Sequence, residues 1–334
     1  MKKITVSAPG KLMLFGEHAV VYDRPCIVTA VGQRMRATVE LTDQPMFQLN
    51  APDVKVLNYQ KPMSDLGKGD IPKGAKFVEI AVKNFLTNQS TSEVKKMQLH
   101  LGGVRVTTKS EFSSEFGFGS SSASTVCTIF ALSKLLGKKL SQKQIFDLSY
   151  KTVLDVQGKG SGFDIAAAIF GGTLYFVTGG KVIKPLKINS LPLIIGYSGI
   201  KVDTVSLIDE VKEKREKYPF LIENIYDQIQ KIVEQAKITI LNKDWVSLGE
   251  LMNVNEGYLS TLGVEGKKLA DMIYSAREAG AYGAKLSGAG IGDCMISLAP
   301  PSKAKAIKKA ITQAGGKVLD VKTNVEGVRV ESRV

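Results

Sequence analysis

Apolar and polar positions alternate through the first forty residues, in Ile4-Thr5-Val6, in Leu12-Met13-Leu14-Phe15 and across 27–39, where β-branched side chains are frequent. A period of two with such residues predicts strands. Residues 50–76 lose the pattern; they are polar, carry Pro52, Pro62, Pro72 and several glycines, and predict a long irregular excursion. Helical periodicity begins at 77–86, strand patterning returns over 94–109, and 120–136 reads as an apolar helix entered from a glycine-serine turn. Ser141 followed three positions later by Gln144 has the form of a capping box, which predicts a helix running to about Asp155. Strands are expected at 174–177 and 191–197, then charged helices from 203 to 280 with breaks at Pro219, Asn242 and Gly263. Strands at 284–286, 294–298 and 318–321 then alternate with a helix over 302–314. The order is that of an α+β protein. The change from strand-rich to helix-rich chain places a boundary near 179–192 and divides the chain into units 1–185 and 186–334.

Composition narrows the class. The 334 residues are 44% hydrophobic, enough for an ordinary packed core, which excludes a disordered or collagen-like chain. No apolar run approaches the roughly 18 residues of a membrane-spanning helix; the run 165–177 is broken by Gly171-Gly172-Thr173. Lys11, Glu17 and His18 interrupt any leader-like segment, so a cytoplasmic protein without a membrane partner is expected. Lys+Arg 45 against Asp+Glu 32 gives a net charge of +13, but the lysines are dispersed and lack interleaved aromatics. They read as solvated helix faces and predict no nucleic-acid partner, although a positive field attracts small anions. Cys26, Cys127 and Cys294 lie far apart without metal-ligand spacing, and His18 and His100 are the only histidines. Chemistry is therefore expected from Asp, Lys and Ser.

Three glycine-rich turns stand out. The segment Gly117-Phe118-Gly119-Ser120-Ser121-Ser122-Ala123 leads from a strand into an apolar helix. Glycines allow close backbone approach, and the helix N-terminus offers free N–H groups and partial positive charge to a phosphate. A Ser-rich N-cap without a ligand has the same sequence. Gln157-Gly158-Lys159-Gly160-Ser161-Gly162-Phe163-Asp164 delivers one carboxylate, either chemical or simply a helix cap. The third turn, 283–294, contains Gly283, Gly288, Gly290 and Gly292 and ends in Asp293-Cys294. Neither GxxxxGK[ST] nor a GxGxxG after a strand is present, so the common nucleotide folds are disfavoured.

Ala8-Pro9-Gly10-Lys11 with Gly16-Glu17-His18, then 117–123, then 283–294, resemble in order and spacing the three signature motifs of the GHMP kinases, the superfamily of galactokinase, homoserine kinase, mevalonate kinase and phosphomevalonate kinase. Within it, residues 8–21 and 252–264 (MNVNEGYLSTLGV) look most like the mevalonate kinases. The resemblance implies a two-lobed α+β fold, with an N-terminal domain of the ribosomal-protein-S5-like kind and a ferredoxin-like C-terminal domain. It implies ATP-dependent phosphorylation of the mevalonate 5-hydroxyl, with ATP as co-substrate and Mg²⁺ as cofactor, and leaves room for a homodimer. By motif, Asp164 and Lys11 are catalytic, Glu17 and His18 bind substrate, and Gly117, Gly119, Ser120, Ser121, Ser122 and Ala123 bind the nucleotide, with Ser121 on the metal.

Two departures keep a second acceptor open. A magnesium-binding Glu is expected eleven positions before the catalytic Asp, where this chain has Val153, with Asp155 the nearest carboxylate. The stretch 157–164 and the Gly292-Asp293-Cys294 ending look more like phosphomevalonate kinases, in which case Lys159 would bind a substrate phosphate.

Overall fold

The computed structural model describes residues 3–88 and 102–333. Strands β1 (Lys3–Phe15), β2 (Pro25–Thr42), β3 (Met46–Ala51), β4 (Val56–Pro62), β5 (Gly103–Ser110), β6 (Thr173–Val177), β7 (Val182–Leu186) and β12 (Arg329–Arg333) form the first sheet. Its order is β12-β1-β2-β5-β3-β4, with β6 paired to β2 and β7 to β6. The long β2 organises it: residues 25–29 pair with β6 and 35–42 with β5, while β1 lies along the other edge. The second sheet, β8 (Leu193–Tyr197), β9 (Gly283–Ser287), β10 (Cys294–Leu298) and β11 (Lys317–Leu319), is antiparallel in the order β11-β8-β10-β9.

Helices α1 (Lys76–Thr87), α2 (Ser120–Leu135), α3 (Gln142–Gln157) and α4 (Phe163–Phe170) accompany the first sheet. Helices α5 (Thr204–Lys217), α6 (Pro219–Asn242), α7 (Trp245–Leu262), α8 (Lys267–Glu278) and α9 (Ala304–Gln313) follow β8. Because α2 is apolar on nearly every face it is buried, packed on β1, β2, α1 and α3. The capping box of α3 is present: Gln144 N–H donates to Ser141 Oγ at 3.2 Å, and Ser141 N–H donates to Gln144 Oε1 at 2.9 Å. Such a cap contributes about 1 kcal/mol and fixes where α3 starts. Gly158, at φ +73°, ends it and sends the chain into the second glycine turn.

The α+β succession holds, with differences at the edges. Residues 50–76 are not one irregular excursion, because β3 and β4 form an antiparallel pair around Pro52. β4 is an edge strand whose Leu57, Asn58 and Gln60 are exposed, so polar side chains hide its period. β12 is likewise a polar edge strand, and it carries the chain end back to β1. The run 165–169 is apolar at every position and has no period to read; it forms the core of α4. Of the strand expected over 94–109, β5 is its later part; 94–101, with His100, lie outside the described residues. Among the described residues no helix is long and apolar enough to cross a membrane. The three cysteines are free and buried.

Candidate active site

A cavity of about 540 Å³ opens between the two sheets, lined from one side by Lys11, Gly119 and Asp164 and from the other by Lys201, Gly288 and Asp293. Its floor is made by local backbone devices. The pairing of β1 with β2 shifts register between Pro9 and Gly10, a bulge that re-aims the following residue. That residue is Lys11, whose N–H donates to the Phe118 carbonyl at 3.0 Å and so ties the first glycine turn to β1.

Two helices begin at the cavity without a side-chain cap. Gly119 (φ +77°) precedes α2 and Gly162 (φ +93°) precedes α4, both left-handed, and neither supplies an oxygen to the first N–H groups, in contrast to Ser141 at α3. Uncapped N–H groups and the aligned dipole of α2 favour an anion beside Ser120, Ser121 and Ser122, which all line the cavity. Ala123 lies just below, fully buried, and supports the turn without reaching the cavity.

Lys11 Nζ is 3.2 Å from Asp164 Oδ1 and sits over the Phe163 ring at 5.1 Å. A side chain on Gly119 would reach both members of the pair, with its Cβ 3.5 Å from Asp164 Oδ1 and from Lys11 Cε. The helix terminus, lysine and carboxylate are therefore adjacent. Asp164 Oδ1 is buried with Lys11 as its ion-pair partner, while the side chain as a whole is one-third exposed, 33%, at the cavity.

The third glycine turn closes the other side. Asp293, at φ +57°, lies against Gly117, where a Cβ would come within 2.5 Å of Asp293 Oδ2. Only glycine fits there. Burial pushes the Asp293 carboxyl up, against the attraction of Lys201, 3.4 Å away, and of Lys11. His18 also lines the cavity and adopts φ +59°, ψ −49°, a sparsely populated conformation of the kind found where a site over-determines the backbone. Its Nε2 lies 2.7 Å from the Ala289 carbonyl oxygen. Burial lowers the imidazole pKa, opposed by that hydrogen bond and reinforced by Lys214.

Two residues expected to meet substrate are engaged elsewhere. Glu17 is fully buried, outside the cavity lining, and ion-paired with Lys285. Lys159 borders the cavity but is ion-paired with Asp209 of α5 and donates to the Val205 carbonyl at 3.4 Å. At the position where a metal-binding Glu was expected, Val153 lines the cavity; Asp155 does not, being held by Lys151 at 2.5 Å and Asn84 at 2.9 Å. Asp293 and Lys201 were missed as wall residues. Asp293 had a signal, as a carboxylate inside a glycine turn; Lys201 had none.

The GHMP kinases N terminal domain matches residues 79–172 and GHMP kinases C terminal matches residues 224–317. A mevalonate kinase of Pyrococcus horikoshii is 37% identical over 342 residues, covering 99% of this chain and 98% of that protein. The crystal structure of the Methanococcus jannaschii mevalonate kinase superposes with a TM-score of 0.77 at 26% identity, over 95% of this chain and 97% of that one. A phosphomevalonate kinase of Streptococcus pneumoniae, in complex with phosphomevalonate and AMPPNP, gives a TM-score of 0.82 at 16% identity, over 96% and 99%. The backbone alone therefore does not separate the two acceptors; the fold is common to both. With both lobes matched and near-complete coverage by relatives above one-third identity, the chain belongs to the GHMP kinase family.

Proposed function

We propose that the protein transfers the γ-phosphoryl group of ATP to the 5-hydroxyl of mevalonate. The observation that carries this reading is the Lys11–Asp164 pair set against the uncapped N-terminus of α2, in a chain 37% identical to a mevalonate kinase over its length. A primary alcohol is a poor nucleophile at neutral pH. Asp164 accepts the hydroxyl proton, while Lys11, paired with Asp164 Oδ1, stabilises charge developing on the alcohol oxygen. The α2 N–H groups and the Ser120 to Ser122 hydroxyls receive the phosphates, whose equatorial charge grows in the transition state. His18 borders the acceptor.

A magnesium ion suits this donor set. Magnesium is commonly held by one or two protein oxygens together with substrate phosphates and waters, and Ser121 lines the cavity at the uncapped N-terminus of α2 where the phosphates are received. Among the described residues no three-ligand cluster is present. Ser121 would hold the ion together with the phosphates, and the ion would supply charge neutralisation of those phosphates when bound. Ser121→Ala is expected to shift the Mg²⁺ titration of activity to higher concentration; an unchanged titration would move the ligand elsewhere. The unit boundary at 185/186 is retained as part of this proposal; it falls at the last residue of β7, next to the change of sheet between β7 and β8, with β12 returning to the first sheet.

Mevalonate is favoured over 5-phosphomevalonate because an added phosphate would have to meet Lys159, already neutralised by Asp209, and would share the cavity with the Asp293 carboxyl. The test offers both acceptors side by side with ATP and Mg²⁺ and compares kcat/KM. A higher value for mevalonate is expected. A higher value for phosphomevalonate would reassign the acceptor without touching the roles of Lys11 and Asp164.

A further inference from the structure

Two features singled out by sequence have no place in the cavity: the Glu17 carboxylate and the stretch 252–264. They meet at Lys285. Lys285 on β9 and Glu17 in the turn after β1 are both fully buried and hydrogen-bonded to each other, and Lys285 Nζ donates a second bond to the Leu286 carbonyl at 2.5 Å. From α7, Glu256 accepts the Leu286 N–H at 2.8 Å. Glu17 Oε2 and Glu256 Oε1 have no hydrogen-bond partner. Two residues on from Lys285, and on the same strand face, Ser287 accepts from the Met13 N–H at 3.1 Å and donates to the Met13 carbonyl at 2.8 Å. One face of β9 thus grips the end of β1.

A fully buried ion pair is weak as pure stabilisation, because desolvation offsets its attraction; what it fixes is geometry. Here the fixed segment is the turn 16–18. Gly16, at φ +98°, is packed so closely on β2 that a Cβ would lie 2.6 Å from the Pro25 carbonyl oxygen. His18 follows in its sparsely populated conformation, with Nε2 2.7 Å from the Ala289 oxygen. A carbonyl oxygen only accepts, so Nε2 carries the hydrogen. Burial favours the uncharged ring, which leaves Nδ1 with a lone pair.

Resting on the reading of this cavity as a kinase site, we propose that Lys285 is a positioning residue for the acceptor: its pair with Glu17 holds the turn after β1 so that His18 keeps Nε2–H on Ala289 and retains Nδ1 as an acceptor for a substrate hydroxyl. Lys285 touches no substrate and acts through Glu17 and His18. A ring offering a lone pair accepts from an alcohol and does not bind a carboxylate. The same β9 face therefore joins the sheets and sets one element of acceptor selection.

The test is the double variant Glu17→Gln/Lys285→Met, which removes both buried charges at similar volume, compared with the parent. With His100→Gln in both proteins, His18 is the sole imidazole for ¹⁵N NMR. The parent is expected to show one neutral tautomer with hydrogen on Nε2, and the double variant a mixture. Loss of one positioned hydrogen bond corresponds to about a tenfold rise in KM for mevalonate, with kcat and the KM for ATP within about threefold of the parent. A folded double variant with the parent's tautomer and KM overturns the proposal, as does a parent ring carrying its hydrogen on Nδ1. Should the double variant not fold, Glu17→Asp keeps the charge and shortens the reach. It is expected to raise KM for mevalonate with kcat retained, whereas equal losses in kcat and both KM values would reduce the pair to general support and overturn the assignment. The NMR arm needs no turnover, so a wrong acceptor leaves it decisive.

Discussion

Two lysine–carboxylate pairs flank the same strand end, and they differ in what surrounds them. Lys11 and Asp164 face the cavity with side-chain exposures of 10% and 33%, whereas Lys285 and Glu17 are both at 0%. The cavity-facing pair has room for a third group beside its charges, so it can respond to a substrate. The buried pair has no such room; its charges are committed to each other and to the backbone. The same residue types, within six positions of each other at Lys11 and Glu17, serve as chemistry in one case under the proposed function and as framework in the other, and accessibility divides them.

The largest effect expected from breaking this contrast is on the exposed side. Asp164→Asn removes the proton acceptor while leaving shape and nucleotide contacts, so kcat should fall by about 10² to 10⁴ with ATP binding little changed. Steady-state kinetics and nucleotide titration check this together, and activity within a factor of about two of the parent would take Asp164 out of the chemistry. On the buried side, Lys285→Met alone strands the Glu17 charge in the interior. Removing one partner of a buried pair costs about 3–5 kcal/mol, to be read as a lower midpoint in urea at unchanged m. A midpoint unchanged from the parent would mean that the pair is hydrated in solution and that the division by accessibility is wrong.

Glu256 sharpens the contrast through pH. Burial pushes its carboxyl up from 4.5 to about 7, opposed by Lys285 and the Leu286 N–H. A carboxyl whose folded pKa exceeds its unfolded value favours the folded state at low pH, and that contribution is lost as pH rises from 4.5 through about 7. Glu256→Gln keeps an oxygen for the Leu286 N–H and removes the titration. Relative to the parent, the variant should match it best near pH 4.5 and gain with rising pH, up to about 3 kcal/mol above pH 7. Thermal melts across that range check the sign; a gap that narrows with rising pH contradicts it.

Much of this arrangement was legible in the chain, and the limits follow from distance. The glycine turns, the Ser141 cap and the apolar α2 are written in residues a few positions apart, because helix ends and turns are local. The same locality brought the turn 117–122 and Asp164 into consideration, while Lys11 entered through the resemblance of residues 8–11 to a family motif. The engagements of Glu17 and Lys159 were not legible, since their partners lie 268 and 50 positions away. Long-range pairing decides whether a charged residue in a motif faces substrate or framework, and no local pattern carries it. β4 and β12 escaped for another reason: an edge strand buries too little to impose a period on its side chains. Asp293 lay in plain view, but its meaning depends on Gly117 having no side chain to displace it.

The smallest expected effect belongs to Lys159, which lies between the two extremes at 32% side-chain exposure against 53% for its partner Asp209. An ion pair this open to water contributes about 0–1 kcal/mol and weakens with salt. Lys159→Met should therefore change KM for mevalonate by no more than about fivefold, and the change should shrink at high ionic strength. The contrast with a phosphate-binding lysine is quantitative. Were the acceptor a phosphomonoester, Lys159 would leave Asp209 to make a charge-assisted bond worth about 1.5–3 kcal/mol, and its loss would raise KM for phosphomevalonate by roughly ten- to a hundredfold. Measuring both acceptors with parent and variant separates the cases. A defect confined to phosphomevalonate, alongside negligible turnover of mevalonate by the parent, would move Lys159 into the binding site and leave Asp209 as the group that holds it until the acceptor arrives.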